Sequence, residues 1–210
     1  MTKKIKKFKI ATHSKEILRK VIHGKIDIAE AGFASNSDVQ DFAQELADKL
    51  DNGVVYQTFE KEDIAFDGID LENNEIFSGA IITLGKDIET ELEKLTNDKQ
   101  IVIANIAIME FLKTSFNFVF ELIKSQAKKD NFEILQNIML YYPQFNYIRE
   151  PKFFQTALKP DSEVSKNTIL KMSDILKPEK ISAKFIDTSF TPKYCTAFIS
   201  PWVKKSKKRK

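Results

Sequence analysis

The sequence predicts an α+β fold: a mostly helical body around a long central buried helix, with a small, largely antiparallel sheet that includes the N- and C-terminal strands. Three observations carry this. The stretch from about Asp98 to Lys128 is apolar on most faces, with 16 of the 23 residues from Ile101 to Ile123 hydrophobic. Strand-like alternation stands near both ends, at Lys7–Thr12 and Tyr194–Val203. Between them, helix-period and strand-period segments follow one another without an internal repeat. With 210 residues the chain can bury a sizeable core, and the reading is one α+β domain over 1–203 followed by a basic flexible tail at 204–210.

Taken in order, Phe8, Ile10 and Thr12 share one side of a first strand with lysines on the other. Ser14 caps a helix through Ile22, and Gly24 stops it. Ser37 caps the next, where Val39, Phe42, Ala43, Leu46, Ala47 and Leu50 form one stripe and Gly53 follows. Val54–Phe59 is β-branched and aromatic, hence a strand. Asp67-Gly68 marks a hairpin turn between Ile64-Ala65-Phe66 and Ile69-Asp70-Leu71. Gly79–Leu84 reads as a strand and Lys86–Leu95 as a charged helix. In the central helix, Glu110, Lys113, Thr114, Asn117 and Glu121 leave a narrow polar stripe, although Ile101-Val102-Ile103 also suits a strand. Asp130 caps a helix over Asn131–Leu140 that Pro143 ends. After a Pro-marked loop, Ser162–Leu176 is a helix closed by Pro178, and Ile181–Ile186 pairs with Tyr194–Val203 as a hairpin.

The net charge of +3 conceals a division. Residues 1–25 carry +8 and residues 204–210 carry +6, leaving −11 on the body between. Lys3, Lys4, Lys6, Lys7 and Lys9 at one end, and Lys204, Lys205, Lys207, Lys208, Arg209 and Lys210 at the other, are the candidate anion-binding residues. If the two terminal strands were neighbours, these would form one patch. Tyr194, Phe198 and Trp202 share a strand face with Thr196 and Ser200; beside the cationic tail they offer stacking platforms for nucleic-acid bases, against the default of core packing. The aromatic, turn-rich Tyr141, Tyr142, Phe145 and Tyr147 are the candidate protein-contact loop.

Several classes are disfavoured. One cysteine excludes a disulfide framework, and Cys195 reads as core filler. His13 and His23 lack metal-ligand spacing, and the acidic run from Glu60 to Glu75 does not match a calcium loop. No glycine-rich phosphate loop or Gly-x-Ser-x-Gly occurs. Asp130 with Glu150-Pro151-Lys152 has the spacing of a metal-dependent nuclease, but Pro151 at the centre speaks against it. No apolar run follows the basic start, and the charges in 101–123 oppose a bilayer span; a cytoplasmic location is expected. The expected function is a non-enzymatic interaction or structural component of a larger assembly. It needs no cofactor or metal, contacts other subunits or itself, and anchors to an anionic partner by its ends. The alternative is a nucleic-acid-binding protein, with DNA or RNA held at those ends; peripheral membrane contact is a further use of the same charge.

Overall fold

A computed structural model describes residues 1–63, 75–134, 136–145 and 162–205. The Asp67-Gly68 hairpin, Tyr147, the Glu150-Pro151-Lys152 triplet and residues 207–210 lie outside them. The fold is α+β. Its sheet is antiparallel throughout. Strands β1 (Lys3–Lys6), β2 (Gly53–Glu60), β3 (Ile76–Thr83) and β8 (Cys195–Lys204) lie side by side in that order. Two short strands, β4 (Phe132–Glu133) and β5 (Ile138–Tyr141), pair successively along the far side of β8.

Each long strand is apolar on both faces because both are covered. Val54, Tyr56, Ala80, Ile82, Met139 and Phe198 face one core, shared with α1 (Ser14–His23), α2 (Asn36–Asp48), α3 (Lys86–Glu93) and α4 (Asp98–Lys129). Val55, Phe59, Phe77, Ile81, Ile138, Leu140, Ala197 and Ile199 face a second core. There they meet α5 (Glu163–Leu176), a 3-10 helix at Pro178–Ile181, and the hairpin of β6 (Lys184–Ile186) and β7 (Ser189–Thr191). Close approach across this second core needs a glycine: a Cβ on Gly79 would stand 2.9 Å from Met172 Cε.

The central helix, at 32 residues, is about 48 Å long. Asn97 caps it by accepting from the Lys99 and Gln100 amides at 2.9 and 3.1 Å, and Ile101–Ile103 are helical. α2 begins two residues earlier than its stripe suggests, at a capping box in which Ser35 and Asp38 satisfy each other's backbone amides. The Ser35 hydroxyl holds the Asp38 carboxyl below its usual range. α1 is preceded by His13 in the left-handed region, so Ser14 lies inside the helix and does not cap it.

Three expectations are corrected. The first strand is Lys3–Lys6 and not Lys7–Thr12, because Lys7 turns to φ 51° and sends Phe8 off the sheet to stack on Phe118 of α4 at 4.7 Å. Asn131–Leu140 is not a helix. Asp130 is the C-cap of α4, Asn131 (φ 63°) reverses the chain, and Ile138 to Leu140 alternate between the two cores as β5. The third concerns the expected C-terminal hairpin. β6 pairs with β7, while β8 inserts between β3 and β4/β5, continuing one residue past 203 to Lys204.

Phe198, fully buried at the middle of β8, meets Phe116 of α4 edge-on at 4.7 Å. Phe198→Ala is expected to lower the unfolding free energy by about 3–5 kcal/mol in urea titrations, the range for truncating a core aromatic. Ile22→Ala, at a side chain 57% exposed, should stay within about 0.5 kcal/mol. Equal effects at the two sites would contradict this packing.

Candidate functional site

At the N-terminus, strand alternation divides the lysines between layers. Lys3 and Ile5 lean towards α4. Lys3 Nζ donates to Gln126 Oε1 at 2.5 Å and lies 5.6 Å from the Tyr56 ring centre. Thr2, Lys4 and Lys6 lie on the α5 side, where the Thr2 hydroxyl donates to Gln57 Oε1 at 2.7 Å. Lys7, beyond the strand, stands 3.6 Å from Asp51, an ion pair open to water and hence worth at most about 1 kcal/mol. All five of these lysines are exposed, and Lys4, Lys6 and Lys9 have no acidic partner among the described residues. Lys7 and Lys9 also border a cleft of about 480 Å³ against α2, with Asp48 in its opposite wall.

The C-terminal aromatics are placed differently from a stacking platform. Tyr194, Phe198 and Trp202 are all buried. The Trp202 indole donates to Ser78 Oγ at 3.0 Å and tilts against Phe132 at 5.7 Å, so these rings turn no open face to a base. The physical reason is α4, which lies across this face of the sheet and occupies Phe198. The hydroxyls between the rings serve the neighbouring edge, Thr196 donating to the Tyr141 carbonyl at 2.7 Å and Ser200 bonding Asn137 at 2.5 Å. Lys204 and Lys205 follow, exposed. Lys204 Nζ is 4.0 Å from Glu75, and the Lys205 amide bonds the Asn131 carbonyl at 3.3 Å.

The two terminal strands are not neighbours, since β2 and β3 separate them. The register sets the basic ends further apart: Lys3 is level with Tyr56, Ala80 and Phe198, and Lys6 with Gly53, Thr83 and Cys195, so β1 lies alongside the half of the sheet where β8 begins. Glu60 and Glu75 stand at the other end, beside the finish of β8. The described basic ends are therefore two separate sites, the C-terminal one beside acid.

Tyr141, Tyr142 and Phe145 line a cleft of about 420 Å³ with Asn105, Lys193 and Tyr194. Tyr141 is anchored by Phe190 at 5.0 Å, and Tyr142 is buried. Phe145 lies nearly parallel to Tyr194 at 6.4 Å, while Lys193 Nζ stands 5.0 Å from the Tyr194 ring centre. Burial, reinforced by Glu89 and Glu93, pushes the Tyr194 phenol up to about 12. It therefore stays protonated at neutral pH.

The remaining candidates are ordinary structure. Cys195 is fully buried, with its Sγ 3.0 Å from the Pro192 carbonyl, and burial pushes its thiol up to about 12, the opposite of an activated nucleophile. His13 and His23 stand at the two ends of α1, and Asp130 at the end of α4. Among the described residues no three His, Cys, Asp or Glu side chains gather as a metal site would require.

Sequence reading placed Glu110 on a polar stripe and missed its role. Its carboxylate is buried, hydrogen-bonded to Lys20 of α1 and 3.6 Å from Lys113. The signal was available in its position, one charge inside the most apolar turn of α4.

No protein-family model matches the chain, and no curated protein matches it significantly.

Two outcomes follow from these placements. Lys20→Ala, which strands a buried carboxylate beside Lys113 alone, should cost roughly 2–3 kcal/mol, just under the usual figure for breaking a buried pair. Arg19→Ala, which breaks an exposed pair with Glu16, should leave the midpoint of the same denaturation assay almost unmoved. Tyr194 and Cys195 both have folded pKa values raised above their unfolded ones, so their contribution is present below about pH 9–10 and is lost as pH climbs towards 12. The melting temperature of the wild type should therefore fall more steeply between pH 10 and 12 than that of Tyr194→Phe. Parallel curves would show that the phenol ionises normally.

Proposed function

We propose that the chain is a non-enzymatic interaction component of a larger assembly, holding an anionic partner through its basic ends. The observation that carries this is the exposure of every described candidate cation: Lys3, Lys4, Lys6, Lys7, Lys9, Lys204 and Lys205. Their charge is barely spent among the described residues, since the two ion pairs they make there, with Asp51 and Glu75, are open to water. The body between carries −11, so an approaching polyanion is repelled from most of the surface and drawn to the ends. The cleft at Tyr141, Tyr142 and Phe145 supplies the protein-contact surface of the same reading. It is aromatic-walled, open, and anchored on the β6–β7 hairpin. Nucleic-acid binding by base stacking loses its support with the burial of Tyr194, Phe198 and Trp202, which leaves only the lysines to such a partner.

The test is retention on a polyanionic resin across a salt gradient. The full chain should elute at clearly higher salt than a variant with Lys3→Glu, Lys4→Glu and Lys6→Glu that also lacks residues 204–210. Binding that fades steeply with salt is the signature of counterion release. Identical elution of the two proteins would remove the basic ends from the function.

A further inference from the structure

We infer that the outer edge of β1 is a docking strand for an extended acidic peptide segment, which adds to the sheet and sets its carboxylates against Lys4 and Lys6. The inference rests on the reading above and names the anionic partner of the N-terminal end.

β1 is the last strand on its side of the sheet, paired with β2 alone. Beyond that pairing, residues 1–6 make no backbone–backbone hydrogen bond among the described residues. Such an edge leaves a row of amides and carbonyls ready to pair with an added strand. Its side chains decide which strand that is. Lys4 and Lys6 are exposed on one face at the strand period of two, with no acidic partner among the described residues. The 3-10 helix Pro178–Ile181 lies on the same face, where a Cβ on Gly53, the residue opposite Lys6, would meet Ile181 at 2.9 Å. That helix carries exposed Lys180, and exposed Lys177 precedes it. The acids of these elements near the edge are Asp174 and Glu179, two against four lysines.

Lysines on an edge strand ordinarily serve to keep other strands away. That protection is selective. Like charges placed directly opposite across a strand pair are unfavourable, and opposite charges are favourable. The edge of β1 therefore rejects a second copy of itself, and rejects neutral strands that would bury the lysine heads. A strand with acids at alternate positions escapes both penalties and gains main-chain bonds as well. With four residues in β1, the matching segment is about four to six residues long.

The test uses the full chain and a fluorescein-labelled peptide of alternating Glu and Val, followed by anisotropy. Saturable binding is expected. Lys4→Glu with Lys6→Glu should weaken it at least tenfold and create binding to the matching Lys–Val peptide. Lys128→Glu with Lys129→Glu makes the same charge change at exposed positions on α4 and should leave it within twofold. Backbone N-methylation at alternate residues of the peptide, which keeps its charge and removes main-chain donors, should weaken binding at least tenfold. Melting temperatures of all variants separate loss of binding from loss of fold. If the N-methylated peptide binds as well as its parent, charge alone holds the partner and the docking strand is overturned, with the anionic-partner reading intact. If the resin retains the chain through Lys3, Lys4 and Lys6 while the peptide does not bind, or an oligonucleotide of equal charge displaces it more effectively than unlabelled peptide, the inference likewise falls alone. Binding of neither resin nor peptide overturns both.

Discussion

The central helix has to be enclosed, and most of the architecture is a consequence. From Ile103 to Leu112 every residue of α4 but Asn105 is buried, so no single partner surface can cover it. The sheet takes one side, with Phe198 edge-on to Phe116, and α1 and α2 take another. The N-terminal segment is drawn in as well, Phe8 stacking on Phe118. Enclosure on all sides also buries a charge, the carboxylate of Glu110. A lone buried charge would cost several kcal/mol, and Lys20 and Lys113 meet it. That pair does more than neutralise. It fixes where α1 sits along α4, because only one placement brings Lys20 to the buried carboxylate.

How much of this was legible follows from where the information lies. The central helix, α2, α5 and the strands β2, β3 and β8 announce themselves by local period, and their boundaries shift by only a few residues. β5 did not, although Ile138, Met139 and Leu140 alternate faithfully between the two cores. A stretch that short reads equally well as one turn of helix, and what makes it a strand is the vacant side of β8, which no local pattern reveals. The same holds for β1. Lys7–Thr12 alternates, yet the chain turns at Lys7 because Phe8 gains more against α4 than on the sheet. For the site residues, the lysines could be read, and those among the described residues are exposed as a charge run must be. The aromatics of β8 could be assigned correctly to one face but not to solvent or interior, since either side of a doubly covered sheet can be aromatic.

The charge pattern gains its meaning only from topology. In sequence, two cationic ends bracket an acidic body, which invites the picture of one basic patch. In the fold, β1 lies alongside the half of the sheet where β8 begins, and β2 and β3 deliver Glu60 and Glu75 to the opposite end, where β8 finishes. Lys204 thus starts the C-terminal basic run beside an acid, while Lys4 and Lys6 stand exposed on the outer strand with no ion pair among the described residues. Equal lysine content therefore does unequal work. A partner for Lys204 must compete with Glu75, and added salt weakens both attractions alike. Lys4 and Lys6 make no ion pair among the described residues, and they flank the backbone groups on the outer edge of β1. A partner that uses only charge can be satisfied at either end. One that also needs main-chain pairing finds an exposed edge strand and unpaired lysines together at β1.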